Sequence, residues 1–262
     1  MKVKMLDLTQ PLSIHTPPWP SYIPLQVQYF KRIAGAHMGQ GANGQVITTS
    51  MHVGTHIDGI KHFYGPGPTI GEQPIEDFCG DAVVVDISKD VSDYSLYTPD
   101  MLTAKAEIRK GDILIINTGY HRYAFDQPDC DEVRYFVKHP GPAPEFHKWA
   151  QKMKFKWIGV DCGSADHPMN TILRQWHPRC FAEAEAKLKK DFGKAWDAMF
   201  PYDDFYQVMH LKMFPLGIIH AENLGGDIDK LNNKRTWVGL FPWKGMELES
   251  SICRIVAFDF GK

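Results

Sequence analysis

The chain has 262 residues, 44% hydrophobic and 23% charged, which is too apolar for a disordered segment and enough for one sizeable α/β core. A formal net charge of −2 gives no field for nucleic acid or an anionic membrane surface, so neither is expected as a partner and a small, weakly charged or neutral substrate fits better. Five scattered cysteines without a C-x-x-C pair exclude a disulfide framework and a thiolate zinc site, and point to a reducing, cytoplasmic compartment.

In chain order, "MKVKMLDLTQPL" turns polar before a secretory apolar run begins, and no apolar stretch is long enough to span a bilayer. "TPPWPSYIP" (16–24) reads as a loop and "QVITTS" (45–50) as a strand before "HVGTHIDGIKHF" (52–63). After a Pro/Gly-rich loop at 64–74 comes the strand "AVVVDIS" (82–88). A helix follows over 98–112, with Thr98 as N-cap, Pro99 at its first position and Gly111 at its end. "DILIINTG" (112–119) and "FKWIGVDCG" (155–163) read as strands on either side of a helix in "APEFHKWAQKMK" (143–154). The segment 180–200 reads as one helix or as two broken near Gly193, and strands close the chain at "PLGIIHAEN" (215–223) and "SICRIVAFDF" (251–260). Helices alternating with short strands, without a linker or repeat, predict a single α/β domain over 1–262 with a mixed central sheet.

Residues 52–63 carry the strongest chemical signal. On a helix, His52 and His56 share a face one turn apart, but Gly54, Thr55, Ile57 and Gly59 are poor helix formers. On a strand, His52, His56, Asp58 and His62 share one face, yet a straight strand separates His52 from His56 by roughly 13 Å at about 3.3 Å per residue, too far for one ion. The chain must therefore bend, and Gly54 and Gly59 supply the backbone freedom. A His/His/Asp set of nitrogen and oxygen donors suits Zn2+ or Mn2+. An isolated histidine is more often a packed or solvated residue than a ligand; three beside an aspartate, interleaved with glycines, favour the ligand.

Downstream, His210, His220 and Glu222 form a second set. His220 and Glu222 share a face at the end of a strand, where α/β sheets place active-site groups, although a solvated strand end reads the same. Spacing does not choose between His210 and His220.

"HVGTHIDGIKHF" resembles the H-x-G-T-H-x-D-x-x-x-H-[FY] signature of the cyclase-like metal-dependent hydrolase family, which includes bacterial kynurenine formamidases and isatin hydrolases. "LDLTQPL", "PPWP", "LIINTGY", "HPG", "GVDCGSAD", "GIIHAENL" and "CRIVAFDF" extend the likeness over most of the chain. The resemblance implies a swivelling β/β/α fold, and His52, His56 and Asp58 as ligands of one divalent metal, with Asp58 bridging to a second held by His210 and Glu222. It implies His62 as the acid/base, and Trp19 with Pro20 at the substrate pocket. One or two ions per chain are thus expected, and relatives of this family are often dimers or tetramers, so a homodimer or homotetramer is expected. Gly59-Ile60 stand where the formamidases read Ala-Pro, and Glu222 is a ligand that isatin hydrolases lack. The expected reaction is hydrolysis of a C–N bond in a small amide, formamide or cyclic amide by a metal-activated water. A metal-dependent lyase or dehydratase and a non-catalytic metal- or ligand-binding homologue are the alternatives. "DCGSADHP", with Asp161, Asp166 and His167, offers support to the site or strand-end capping and receives no catalytic role.

Overall fold

The computed structural model describes residues 3–35 and 41–260. Their strands are β1 (Lys4–Asp7), β2 (Gln26–Lys31), β3 (Gly44–Thr48), β4 (His56–Asp58), β5 (Cys79–Asp86), β6 (Leu96–Tyr97), β7 (Ile113–Asn117), β8 (Gly141–Pro142), β9 (Trp157–Val160), β10 (Ile219–Glu222), β11 (Lys234–Pro242) and β12 (Ser250–Asp259). The helices are α1 (Pro99–Thr103), α2 (Phe146–Met153), α3 (Leu173–Trp176), α4 (Pro178–Phe192), α5 (Trp196–Met199), α6 (Tyr202–Phe205) and α7 (Val208–Met213).

The main sheet has the order β1-β12-β11-β5-β7-β9-β10-β4, and β4 pairs again with β12, so the sheet closes on itself. β5, β7, β9 and β10 run parallel and the other pairings are antiparallel, which makes the α/β sheet a mixed one. The two-residue period sorts side chains into two cores. Ile57, Val84, Ile115, Trp157, Ala221, Leu240 and Ile255, drawn from all seven strands of the ring, meet inside it. Val83, Val85, Leu114, Ile116, Ile158 and Val160 face outward against Leu102, Phe146, Ala150, Trp196 and Met213 of the covering helices.

The same alternation positions the polar residues. Ile57 and Ala221 point into the ring, so His56 and Asp58 on β4 and His220 and Glu222 on β10 point to the outer side. Antiparallel register sets His220 opposite Asp58 and Glu222 opposite His56. Two segments distant in sequence thus become adjacent rows of donors.

One local expectation changes. α1 ends at Thr103 rather than running to Gly111, because Arg235 on β11 takes the Glu107 carbonyl at 3.0 Å and forks onto Asp112 at 2.6 and 2.8 Å. Tertiary ion pairing thereby holds 104–112 as a loop. β3 forms where a strand is expected before the histidine motif, and pairs with β2 in a separate exposed ribbon. The 180–200 segment takes the second of its two expected forms, two helices, with α4 ending at Gly193, whose φ of 68° is left-handed. Among the described residues no helix is long and apolar enough to cross a membrane.

Candidate metal centre

His52 lies in the bend before β4, where its carbonyl accepts from Trp19 N–H at 2.9 Å. Gly54 turns the chain with φ +62°, a left-handed value that favours glycine. The His52 and His56 rings come to 5.1 Å between centroids instead of the extended-strand separation. Gly59 answers a different need: its φ of −81° is ordinary, but a Cβ there would fall 2.7 Å from Glu249 O. Glycine at 59 serves close approach rather than bending.

Asp58, 1% exposed, faces both groups of imidazoles. Its Oδ1 lies 2.9 Å from His52 Nδ1 and 3.3 Å from His56 Nε2; its Oδ2 lies 3.3 Å from His210 Nε2. Glu222 sits between His210 Nε2, 3.7 Å from Oε1, and His56 Nε2, 3.8 Å from Oε2. His56 Nε2 and Asp58 Oδ1 are buried and make no hydrogen bond. Orphaned buried donor and acceptor atoms call for an explanation, and a cation between them supplies one. The ligand atoms of His52, His56 and Asp58 lie within 4.8 Å of one another, as do those of Asp58, His62 and His210.

The outward nitrogens are held. His56 Nδ1 is 2.9 Å from Gly54 O, His210 Nδ1 is 2.6 Å from Asp166 Oδ2, and His52 Nε2 is 3.1 Å from Glu249 Oε1. This is the arrangement that orients metal-binding histidines. Asp166 also accepts from the main-chain N–H of Met209 at 3.0 Å, capping the first turn of α7, the helix that carries His210.

Charge is concentrated here. Burial alone would lower the His52 pKa, but Asp58 and Glu249 outweigh it and raise it to about 10. Burial likewise opposes protonation of His210, while Asp166 and Asp58 raise it to about 10. Burial and the neighbouring Asp58 charge lift Glu222 to about 7. Asp58, despite burial, is held well below the usual carboxylate range by His52, His56 and His62. The bare cluster therefore carries protons that a divalent cation would displace, and its nitrogen and oxygen donors fit such an ion.

The structure brings His210, not His220, to Asp58. The His220 ring packs against His210 and Phe214, at 5.1 and 4.9 Å, with both nitrogens buried and unpaired, and burial keeps it neutral. His62 lies on the single turn Ile60–His62, its ring 4.3 Å from that of His52 and its Nδ1 2.7 Å from Glu249 Oε2. Trp19 lines the pocket over the cluster, together with Tyr22, Phe63, Ser164, Thr171 and Gln207. The cavity is about 50 Å³, which admits a few waters or a compact group.

Two groups at the site were not singled out from sequence. Tyr22 stands in the quoted loop 16–24, its ring 4.5 Å from His52; burial and the Asp58, Glu249 and Glu222 charges push its hydroxyl up to about 12. Glu249 precedes β12, and no local pattern announces it. Within "DCGSADHP", Asp166 supports His210, whereas Asp161 serves Thr118 and His121 and His167 caps Met169 N–H.

Known proteins resemble this chain in sequence and in fold. Over 168 residues the chain is 26% identical to the kynurenine formamidase of Bacillus thuringiensis (strain Al Hakam), covering 62% of this chain and 69% of that one. A kynurenine formamidase of Bacillus anthracis is also 26% identical, over 170 residues, 62% of this chain and 70% of that protein. Among solved structures, isatin hydrolase A from Ralstonia solanacearum superposes with a TM-score of 0.74 at 21% identity, over 98% of this chain and 92% of that one. Isatin hydrolase A from Labrenzia aggregata gives 0.75 at 18% identity, over 99% and 94%. At such identities these two share the fold. Residues 6–167 match the family model described as "Putative cyclase", and the chain belongs to that Cyclase family.

Proposed function

We propose that the protein is a metal-dependent hydrolase that cleaves the C–N bond of a small amide, formamide or cyclic amide. The observation that carries this reading is the pair of Asp58 oxygens, one turned to His52 and His56 and the other to His210, on the floor of a pocket walled by Trp19 and Phe63. The names of the formamidase and isatin hydrolase relatives support the bond class.

His52, His56 and Asp58 would hold one ion, and Asp58, His210 and Glu222 a second. A divalent cation bound there lowers the pKa of water toward about 7 and polarises a carbonyl. Zn2+ and Mn2+ both suit these donors. Asp166 and the Gly54 carbonyl keep His210 and His56 in one tautomer, so their Nε2 lone pairs face Asp58. His62, over the pocket, takes the proton from the attacking water and returns it to the departing nitrogen. Trp19 and Phe63 offer faces to a planar substrate and exclude water from it. No side-chain nucleophile is needed.

A homo-oligomer is part of the proposal, supported by the β2–β3 ribbon, on which Phe30, Val46 and Ile47 are exposed. The cysteine usage supports a cytoplasmic location.

Metal-loaded protein tested on formyl amides, lactams and cyclic imides in 18O-water should give a carboxylate carrying one solvent oxygen. His62→Ala should lower turnover by about 10²–10⁴-fold with metal content retained. Product without solvent oxygen would establish the lyase instead; absence of any turnover would favour a binding protein.

A further inference from the structure

Glu249 differs from the other partners of the inward-facing imidazoles. Gly54 O and Asp166 each hold one ring, but Glu249 reaches two: Oε1 lies 3.1 Å from His52 Nε2, and Oε2 lies 2.7 Å from His62 Nδ1. The two rings lie 4.3 Å apart with planes tilted by 34°, side by side against one carboxylate. Glu249 is not among the residues lining the pocket, its side chain is 40% exposed, and its place is built. Its carbonyl accepts from Gly59 N–H at 3.0 Å, its Oε2 accepts from the Ser250 hydroxyl, and only a glycine at 59 lets its main chain come this close.

We propose that Glu249 is a positioning residue that fixes the tautomers of His52 and His62 together; the inference rests on the hydrolase reading above for the role of His62. Accepting from His62 Nδ1–H leaves Nε2 as the nitrogen that takes up and returns a proton. Accepting from His52 Nε2–H leaves Nδ1 turned toward Asp58. A carboxylate does both because each of its oxygens is an acceptor. A glutamine does not, since its single oxygen serves one ring and its NH2 meets the other N–H. One side chain therefore couples the ligand set to the proton-transferring group.

The test uses histidine-selective 15N spectra of the metal-loaded chain and its Glu249→Gln variant. In the wild type, His62 should carry its proton on Nδ1; in the variant its signals should move toward the Nε2–H form. Gly59→Ala, whose Cβ would crowd Glu249 O at 2.7 Å, should give the same movement with the carboxylate retained. At saturating metal, Glu249→Gln should lower kcat about 10–100-fold with KM little changed, and should lower it no further in a His62→Ala background. An unmoved His62 in both variants overturns the inference, and so does a full additional loss in the double variant. A wild type that turns over nothing defeats the hydrolase reading alone, because the spectra decide the tautomer without substrate.

Discussion

Replacing Asp166 by Asn separates the two halves of the site. Asp166 is fully buried, with Oδ2 2.6 Å from His210 Nδ1 and 3.4 Å from His210 N, and Oδ1 3.0 Å from Met209 N. Asparagine keeps one acceptor oxygen and turns an NH2 toward a donor, so either the imidazole or the first turn of α7 loses its partner. A hydrogen bond to a charged group is worth about 1.5–3 kcal/mol. Loss of the partner behind a ligating histidine lowers metal affinity by about 10–100-fold, which is about 1.4–2.8 kcal/mol and agrees with that range. Calorimetric titration of the metal-free protein with Zn2+ should therefore show one class of sites weakened by that factor while the class formed by His52, His56 and Asp58 keeps its affinity. Urea unfolding of the same metal-free protein should register a stability loss of about 1.5–3 kcal/mol. Equal weakening of both classes, or of neither, refutes the assignment of His210 to a separate ion.

Two further outcomes are expected. Burial holds the fully buried His139 and His167 imidazoles neutral, at about 4 and about 3. Their folded pKa values lie below the unfolded value near 6.5, so they contribute full stability above that pH and progressively lose it as pH falls toward 4; for His139 the gap amounts to about 3 kcal/mol. Urea midpoints of the metal-free protein between pH 7 and pH 4 should fall less steeply for His139→Gln, and equal slopes would exclude His139 as a source of acid sensitivity. Trp19→Ala should raise KM about threefold to tenfold with kcat little changed, the size of one aromatic contact; a fall in kcat alone would move Trp19 from binding to chemistry.

Sequence revealed what is local. The 52–63 motif carries its ligands and its turn within a dozen residues, and the apolar runs 82–88, 112–119 and 155–163 overlap β5, β7 and β9 because parallel strands are buried on both faces. What escaped depends on distant partners. β11 begins at Lys234-Arg235 and contains Gly239, a weak strand pattern, and is a strand because β5 and β12 bind its two edges. Glu249 reaches His52 across 197 residues, a contact set by Gly59 and by the closure of β4 onto β12. The residues alone leave His210 and His220 open and only the family resemblance favours His210; the structure brings His210 to Asp58 because α7 packs over the outer face of β10.

The central claim is tested most directly by removing and restoring the metal. Protein purified without added metal should contain a divalent ion by elemental analysis; chelation followed by dialysis should abolish hydrolysis of the amide substrate, and Zn2+ or Mn2+ should restore it. Undiminished hydrolysis by protein shown to be metal-free would contradict the account.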